Sequence, residues 1–297
     1  MTIDTASSDW LVIGADGGGT HLRVKARFGA REATHEGPGV NAARDPAGAA
    51  AALLAGVERL RAELGAAGAP VALHAGLAGA MDRALGRAVA ERLPLAAVRV
   101  EEDRDIALRG ALGTRDGAVV GLGTGSFVAH RLNGETRLVG GWGFAVADQA
   151  SGAWLGRELL RRAVLHMDGV ARGERTVATV ADGFGSPLAV SLWAEAASPA
   201  DFARYAPRVV EGMRRGEADM AVLMREGASY VEAALAAVGW RGTTPLVVMG
   251  GLAAATVPFL RTPYRKALTE PDGSALDGAL AAAGELADAG RALAATA

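Results

Sequence analysis

The hydrophobic and polar positions near the start of the chain alternate between a strand-like and a helix-like period. Trp10–Ala15 is an apolar run that predicts a buried strand, and His21–Phe28 alternates apolar with charged residues, as a second strand would. Apolar residues then recur at helical spacing in Ala47–Leu64, directly after Asp45 and Pro46, a pair that favours the start of a helix. This alternation of the two periods predicts an α/β fold.

The rest of the chain continues this alternation. We predict further strands at Val71–Ala75, Ala97–Val100, Ala118–Leu122, Phe127–Leu132, Arg137–Val139 and Leu246–Met249. We predict helices at Asp82–Leu93, Ile106–Leu112, Ser151–His166, Ala200–Gly239 (with a break near Gly216) and Leu276–Leu293. A second unit begins after the first set of elements, so we predict a first domain over residues 1–112, completed by the C-terminal helix 276–297, and a second domain over residues 113–275.

Two glycine-rich turns occupy equivalent places in the two predicted units. The first follows the first strand and consists of Asp16, Gly17, Gly18, Gly19 and Thr20. The second follows the strand Ala118–Leu122 and consists of Gly123, Thr124, Gly125 and Ser126. In each case a glycine turn that contains a hydroxyl residue connects two predicted strands. This similarity indicates two related domains.

Such turns let backbone N–H groups approach an anion closely, because no Cβ atom intervenes. Thr20 adds a hydroxyl donor, and Asp16 stands at a strand end where it could hold Mg²⁺ through water. An ordinary hairpin whose glycines serve only positive φ is the alternative, but three consecutive glycines exceed what a two-residue hairpin needs. No Gly-Lys-Ser/Thr follows, so the turn is not a P-loop. Together the two turns predict a two-sided phosphate clamp.

Four acidic residues, Glu101, Glu102, Asp103 and Asp105, follow the predicted strand Ala97–Val100. A kinase acting on a sugar hydroxyl needs a carboxylate that accepts the hydroxyl proton. Asp103 stands just beyond the strand, where a cleft residue would be, and the other three are its rivals. From the residues alone, a solvated acidic loop is the better interpretation for any one of the four.

Further glycine segments carry candidate ligand-binding groups. In Gly140–Gly143, glycines around Trp142 allow close approach to a flat ligand. Asp148 could accept hydrogen bonds from vicinal sugar hydroxyls or simply cap the helix that follows, and the two roles are compatible. The loop Gly37–Asn41 ends in a side-chain amide that can donate and accept, with a plain loop as the equal alternative. Gly250 and Gly251 follow the last predicted strand and offer bare backbone on which an adenosine could lie.

Composition removes several classes of function. The chain of 297 residues carries 31 basic and 33 acidic side chains, a net charge of −2, and thus gives no reason to expect a nucleic-acid or anionic-membrane partner. It has no cysteine, which excludes disulfides, thiol catalysis and cysteine-held iron–sulfur or metal sites. No apolar run is long enough for a membrane span. Met1–Asp9 is polar and acidic, so we predict a loose segment, no secretion signal and a cytoplasmic location.

Taken in order, these motifs resemble those of bacterial and animal N-acetylglucosamine and glucosamine kinases, within the superfamily of actin, sugar kinases and heat-shock ATPases. The matching segments span most of the chain: Asp16–Thr20, Gly39–Asn41, Gly76–Gly79, the acidic segment around Asp103, Gly123–Ser126, Gly141–Gly143, Asp148–Gly152 and Gly250–Gly251. The resemblance implies two ribonuclease-H-like domains of the actin ATPase type, with ATP, Mg²⁺ and an amino sugar in an interdomain cleft. It also makes a homodimer plausible.

The resemblance implies roles for single residues. It implies Thr20 and Thr124 at the phosphates. It also implies Asp103 as the catalytic base, because Gly110-Ala111 follows Asp103 at the spacing expected for the family. Around the sugar it implies Asn41, Ser126, Gly141, Trp142, Gly143 and Asp148.

Two positions depart from the family pattern. Gln149 stands where animal N-acetylglucosamine kinases have an acidic residue, and in this respect the segment is closer to bacterial glucosamine kinases. The segment Gly141–Gly143, in contrast, resembles the N-acetylglucosamine enzymes. Arg104 follows the base candidate where relatives commonly have alanine. The acceptor therefore stays open between the two amino sugars.

We expect an ATP-dependent kinase for the 6-hydroxyl of N-acetylglucosamine or glucosamine. A non-catalytic sugar sensor of the same fold and a kinase for another hexose are the alternatives. An ATP-driven activator of radical dehydratases shares this type of first turn but needs a cysteine-bound iron–sulfur cluster, which this chain cannot form. A transcriptional regulator would need a DNA-binding module before Asp16, and the 15 residues there are too few for a helix-turn-helix.

Overall fold

The computed structural model describes residues 10–296, so the predicted loose segment Met1–Asp9 lies outside the described residues. The chain divides into two compact units, which are called unit 1 (Met1–Thr114 with Pro271–Ala297) and unit 2 (Arg115–Glu270). No helix within residues 10–296 combines the length and the apolar character needed to span a bilayer.

Both units contain strands and helices, as the sequence pattern predicts. The strands are β1 Leu11–Gly17, β2 His21–Phe28, β3 Arg31–Pro38, β4 Val71–Leu77, β5 Ala97–Glu102, β6 Gly117–Leu122, β7 Ser126–Leu132, β8 Glu135–Gly140 and β9 Leu246–Met249. The helices are α1 Pro46–Glu63, α2 Arg83–Ala90, α3 Asp103–Leu112, α4 Gly152–Met167, α5 Arg175–Phe184, α6 Pro187–Ala196, α7 Pro199–Ala203, α8 Ala206–Arg214, α9 Ala218–Ala237, α10 Ala253–Thr256, α11 Thr262–Lys266 and α12 Ala275–Thr296.

Unit 1 is built on a five-stranded sheet in the order β3-β2-β1-β4-β5. β2 is antiparallel to both of its neighbours, whereas β1, β4 and β5 are parallel. Because the carboxyl ends of parallel strands meet at one edge of a sheet, Asp16, Gly76 and Glu101 lie side by side in register there. This edge carries the first glycine turn and the acidic cluster.

Helices cover both faces of the sheet in unit 1. Along β1, Leu11, Ile13 and Ala15 join a core with Leu53, Val57 and Leu60 of α1. The intervening Val12 joins a second core with Leu280, Ala283 and Ala287 of α12. A strand with both faces buried reads as a continuous apolar run, which is why Trp10–Ala15 was detectable from sequence.

Unit 2 has a four-stranded sheet in the order β8-β7-β6-β9, in which only the β6–β9 pair is parallel. Its core joins strand residues to α4 and α9, and includes Val120, Leu122, Val128, Leu155, Leu159, Leu223, Val231 and Leu235. Asn133 and Gly134 both adopt positive φ, at 53° and 80°, and form the tight turn between β7 and β8 that they predict.

Some predictions about local structure were wrong. Gly37 and Pro38 end the edge strand β3, so the predicted loop is reduced to Gly39–Asn41. The acidic cluster is not a loop, because β5 runs through Glu102 and α3 begins at Asp103. The predicted helical stretch Ala200–Gly239 is broken near Tyr205 as well as at Gly216. Helices α5 and α6 were not predicted.

Candidate active site

The first glycine turn connects β1 to β2 at the edge where the parallel strands of unit 1 end. The Gly18 amide donates to the His21 carbonyl over 2.9 Å and closes the turn, and Gly19 and Thr20 are exposed. Neither Gly18 nor Gly19 has a positive φ, and a Cβ atom on Gly19 would meet nothing within 4 Å. The glycines therefore do not serve a left-handed hairpin. They leave bare backbone facing open space, as an anion-binding turn requires.

A cavity of about 430 Å³ opens beside this turn. It is lined by Asp16, Gly18, His21, Arg23 and Glu36, and its volume is within the range of small-molecule sites. Arg23 is the cross-strand neighbour of Asp16, and its guanidinium bonds Asp16 Oδ2 over 2.5 Å.

Asp16 keeps its other carboxylate oxygen, Oδ1, without a hydrogen bond among residues 10–296. Mg²⁺ in phosphate sites takes few carboxylates and retains several waters. One available carboxylate oxygen at the edge of a polar cavity fits this mode of binding.

Asp103 is the first residue of α3, and its place depends on Gly76 in β4. A Cβ atom on Gly76 would lie 3.1 Å from the Asp103 Cα and 2.4 Å from Ile106 Cγ1. The missing side chain therefore lets the first turn of α3 lie directly on the end of β4. In this position Asp103 interacts with the negative charge of Asp16, which contributes to the raised pKa of Asp103. The fold thus brings together the two carboxylates that the sequence singled out.

Burial raises the pKa of Asp103 to about 6, and the charge of Glu102 adds to the effect. Arg104 opposes the rise through its charge and through its backbone amide. A carboxyl group whose pKa lies just below neutral pH is ionised at pH 7 yet basic enough to accept a proton from a reacting hydroxyl.

Two of the three rivals of Asp103 are held in ion pairs. Glu101 accepts from His74 Nε2 over 2.7 Å and from Arg99 Nε over 3.1 Å. Burial alone would raise the pKa of Glu101, but these partners outweigh it and lower the pKa. Glu102 is buried and paired with Arg104, which is itself buried. Arg104, the departure from the family pattern, thus neutralises a buried carboxylate.

Asp105 is the remaining rival. Burial raises its pKa to about 6 as well, with further contributions from Glu101 and Glu102. Asp16 is among the main causes of the raised pKa of Asp103 and is not among those of Asp105. Of the two, Asp103 is therefore the one electrostatically coupled to the glycine turn.

Hydrogen bonds tie the loop of Asn41 to the same turn. The Val40 amide donates to the Gly18 carbonyl over 2.9 Å, and the Ala42 amide donates to the Ala78 carbonyl over 2.9 Å. Asn41 Oδ1 accepts from the amides of Ala43 and Arg44, each over 3.1 Å. The acceptor half of the Asn41 amide is therefore used locally, and the Nδ2 group is the half left to meet a ligand.

In unit 2, the second glycine turn is closed by a 3.0 Å hydrogen bond from the Gly123 amide to the Gly125 carbonyl. The first residues of α4 hold it from behind, since the Gly152 amide donates to the Gly123 carbonyl over 2.8 Å. Thr124 is exposed, whereas Ser126 is buried and donates its hydroxyl to the Gln149 carbonyl over 2.6 Å. Ser126 thus fixes the segment that contains Asp148.

Asp148 is buried and has a left-handed backbone with a φ of 65°, as does Ala150 at 68°. Such conformations are unfavourable for residues other than glycine and concentrate at functional sites. The helix cap is Ser151, whose Oγ accepts from the Trp154 amide over 3.1 Å, so the alternative role of Asp148 as helix cap was wrong. Asp148 instead faces the second turn, with Oδ2 at 3.0 Å from the position of a Cβ atom on Gly125.

Tyr230 of α9 is a candidate that the sequence did not single out. Burial raises its pKa, and the charge of Asp148 raises it further, so the phenol and the carboxylate are neighbours. Its hydroxyl lies 2.9 Å from the position of a Cβ atom on Gly140, at the start of the segment that carries Trp142. Trp142 itself is 65% exposed. Nothing in the pattern of α9 distinguishes Tyr230 from an ordinary helix residue.

The glycine pair after β9 separates into two roles. Gly250 has a φ of 98°, and a Cβ atom there would lie 2.4 Å from the Leu122 carbonyl oxygen, so the backbone itself requires glycine. Gly251 has no atom within 4 Å of its Cβ position. Only Gly251 offers open backbone to a ligand.

Comparisons with known proteins agree with this picture. The profile of the BadF/BadG/BcrA/BcrD ATPase family matches residues 13–282. The glucosamine kinase GspK of Vibrio cholerae is 28% identical, covering 92% of this chain and 95% of that protein. The crystal structure of a candidate N-acetylglucosamine kinase from Chromobacterium violaceum is 30% identical, with a TM-score of 0.84 and coverage of 93% of this chain and 99% of that one.

A second candidate N-acetylglucosamine kinase, from Porphyromonas gingivalis, has a TM-score of 0.70 at 19% identity and covers 91% of this chain and 97% of its own. At that identity it shows the fold alone. The comparisons confirm the predicted fold class and the resemblance to the amino-sugar kinases.

Proposed function

Because this chain belongs to the BadF/BadG/BcrA/BcrD ATPase family, we propose that it is an ATP-dependent kinase that phosphorylates the 6-hydroxyl of glucosamine or N-acetylglucosamine. The observation that carries the proposal is the coupling of Asp103, with a pKa of about 6, to Asp16 beside an open glycine turn. The similarity to a glucosamine kinase over 92% of the chain supports the sugar class.

In unit 1, Asp103 accepts the proton of the attacking sugar hydroxyl. At pH 7 it is mostly ionised, because its pKa is about 6. The open amide of Gly19, with the Thr20 hydroxyl, donates to phosphate oxygens, while the Gly18 amide closes the turn through its bond to the His21 carbonyl. Mg²⁺ would be held through water by Asp16 Oδ1, and when bound it neutralises charge on the phosphates. Arg23 keeps the Asp16 carboxylate oriented through its 2.5 Å bond to Oδ2.

In unit 2, the open backbone of the second turn and the Thr124 hydroxyl bind phosphate oxygens, and Gly251 accommodates the adenosine. Gly123 and Gly125 keep side chains out of this turn. For the sugar we propose Asn41 in unit 1 and, in unit 2, Ser126, Gly141, Trp142, Gly143 and Asp148. Asp148 is the anchor of this set, because its strained backbone holds a buried carboxylate against Gly125.

A steady-state assay tests the proposal. The purified chain is incubated with ATP, Mg²⁺ and a panel of glucosamine, N-acetylglucosamine, glucose and mannose, and ADP release is followed by a coupled reaction. We expect sugar-dependent ADP release with the highest kcat/KM for one of the amino sugars. NMR of the product should place the phosphate on the 6-oxygen.

Each other outcome points to a named alternative. Sugar binding without turnover would favour a non-catalytic sensor, and a preference for glucose or mannose would favour a kinase for another hexose. The absence of both binding and turnover would reject the proposal. The ratio of kcat/KM for the two amino sugars decides which one is the acceptor. The homodimer and the cytoplasmic location remain predictions, the first testable by light scattering.

A further inference from the structure

A second cavity, of about 460 Å³, lies on the helical part of unit 2, outside the glycine turns and the acidic cluster. It is formed between α5 and α8. Its polar lining consists of Arg175, Thr176, Thr179, Arg208, Glu211 and Arg215. Three arginines therefore line one space together with a single acidic residue.

The charge of this lining is not neutralised locally. Arg215 is paired with Glu217, its Nη2 lying 2.8 Å from Glu217 Oε1, and it reaches Glu211 at 3.5 Å. Arg175 and Arg208 have no carboxylate within ion-pair distance among residues 10–296. The cavity thus presents two uncompensated guanidinium groups, which attract a multiply charged anion.

The floor of the cavity is fixed by buried polar groups. Thr176 is buried, and both its amide and its hydroxyl donate to the Glu217 carboxylate, over 2.9 and 3.0 Å. Arg215 Nη2 in turn lies 2.8 Å from Thr176 Oγ1. A Cβ atom on Gly212 would lie 2.6 Å from that hydroxyl oxygen, so glycine in α8 permits this close packing. Arg215 is therefore held in place before any ligand arrives.

An aromatic cavity of about 250 Å³ adjoins the first one and shares Arg208 with it. Its walls include Phe184, Trp193 and Tyr205, and the Arg208 guanidinium lies over the Tyr205 ring at 5.4 Å. Aromatic faces beside guanidinium groups suit a ligand with a phosphate at one end and a flat or ring-shaped organic part at the other.

We propose that these cavities form a binding site for a phosphate monoester, with the phosphate between Arg175 and Arg208 and the organic part towards the aromatic walls. Planar guanidinium groups match phosphate oxygens bidentately, and a dianion satisfies both charges. A combined space larger than a phosphate ion requires favours an ester over the inorganic ion. The site is independent of the proposed kinase reaction, because none of its residues belongs to the candidate active site.

Calorimetric titration with glucosamine 6-phosphate and, separately, with AMP tests the site and distinguishes a sugar phosphate from a nucleotide. The test variant is Arg175→Gln/Arg208→Gln. The control is Arg214→Gln, which removes an exposed charge from α8 that does not line the cavity. Both titrations are repeated with a non-hydrolysable ATP analogue present, because the glycine turns are also expected to bind phosphate.

We expect one of the two esters to bind the wild-type chain and the control alike, and to bind the double variant at least about tenfold more weakly. Equal dissociation constants for the double variant and the control would overturn the proposal, and so would an absence of binding to the wild-type chain. Thermal melting establishes that the double variant is folded, which is expected since both arginines are exposed.

Discussion

Gly76 and Asp103 are in such close contact that any side chain on Gly76 would meet the backbone of Asp103. The Cβ position of Gly76 lies 3.1 Å from the Asp103 Cα, and the Ile106 side chain lies nearer still, at 2.4 Å. Because Gly76 has no side chain, the end of β4 and the start of α3 can pack directly against each other. The position of the proposed base depends on this contact.

Gly76→Ala should therefore impair both the stability and the turnover of the enzyme. The added methyl group forces α3 away from β4, and overpacking of this kind costs about 1–3 kcal/mol. A shift of about 1 Å in a catalytic group can reduce kcat by about a hundredfold. Urea denaturation and steady-state kinetics measure the two effects. A variant with wild-type kcat would show that the position of Asp103 does not matter to catalysis.

Asp103→Asn and Asp105→Asn form a matched pair that tests the identity of the base. Both residues lie in the first turn of α3, and the pKa of each is raised to about 6. We expect Asp103→Asn to lower kcat by about 10²–10⁴, the usual contribution of general base catalysis, and to retain sugar binding. Asp105→Asn should change kcat only a few-fold. The reverse result would make Asp105 the base.

The elements that were predictable from sequence are those with at least one buried face. β1 and β2 carry a continuous or alternating apolar pattern because their side chains pack against α1 and α12. β3 has no buried residue along its length, since it is the edge strand of the sheet, and it therefore leaves no hydrophobic signal. A buried face was not sufficient everywhere, since helices α5 and α6 were missed although Val177, Val180 and Val190 are buried.

The partners within the candidate site depend on tertiary structure that no local pattern encodes. Asp16 and Asp103 are far apart in the chain and meet because β1, β4 and β5 are adjacent and parallel. The glycine turns were detectable from the sequence because they depend on the type of residue at each position and not on a contact with a distant residue. Tyr230 and the pairing of Arg104 with Glu102 emerged only from packing.

The pH dependence of turnover should follow the ionisation of Asp103. Its carboxylate must be unprotonated to accept the hydroxyl proton, so kcat/KM should rise with pH through about 6 and level off near neutral pH. Measurement between pH 5 and about 8 at saturating ATP and Mg²⁺ gives the profile. Asp105→Asn should retain this inflection. A profile that is flat across pH 6 would contradict the raised pKa of the base.

Asp103→Asn should also stabilise the fold at alkaline pH. The folded-state pKa of about 6 lies above the ordinary value of 3.8, so the native chain retains a proton that the unfolded chain releases between these values. Stability is therefore lost as pH rises through this window, and the penalty is complete above pH about 6. Asparagine removes it, for a gain on the order of 1–3 kcal/mol.

Urea midpoints at pH about 8 and about 3.5 check this expectation, because the gain should largely vanish at the lower pH, where the aspartate is mostly protonated in both states. A stabilised but inactive variant is the usual mark of a residue kept for function at the expense of stability. A variant that is less stable at the higher pH would show that the carboxylate serves the fold instead.

Gly19→Ala should separate phosphate binding from folding in the first turn. Its Cβ position meets no atom within 4 Å and its φ is not positive, so alanine fits the folded chain and restricts the unfolded one. Such a change adds about 0.4–1 kcal/mol of stability. Gly284→Ala in α12 is the matched control, because only the end of the Arg27 side chain comes within 4 Å of its Cβ position, at 3.5 Å.

Both variants should thus melt at or above the wild-type temperature, but only Gly19→Ala should raise the KM for ATP, by about tenfold or more. The reason is that a methyl group at residue 19 keeps phosphate oxygens from the bare backbone, whereas one at residue 284 lies beside Arg27, which pairs with Val12 at the end of β1 opposite the turn. Melting curves and ATP saturation kinetics give the two readings. An unchanged KM in a stabilised Gly19→Ala variant would mean that the turn is a plain connection, and that the phosphates are bound elsewhere.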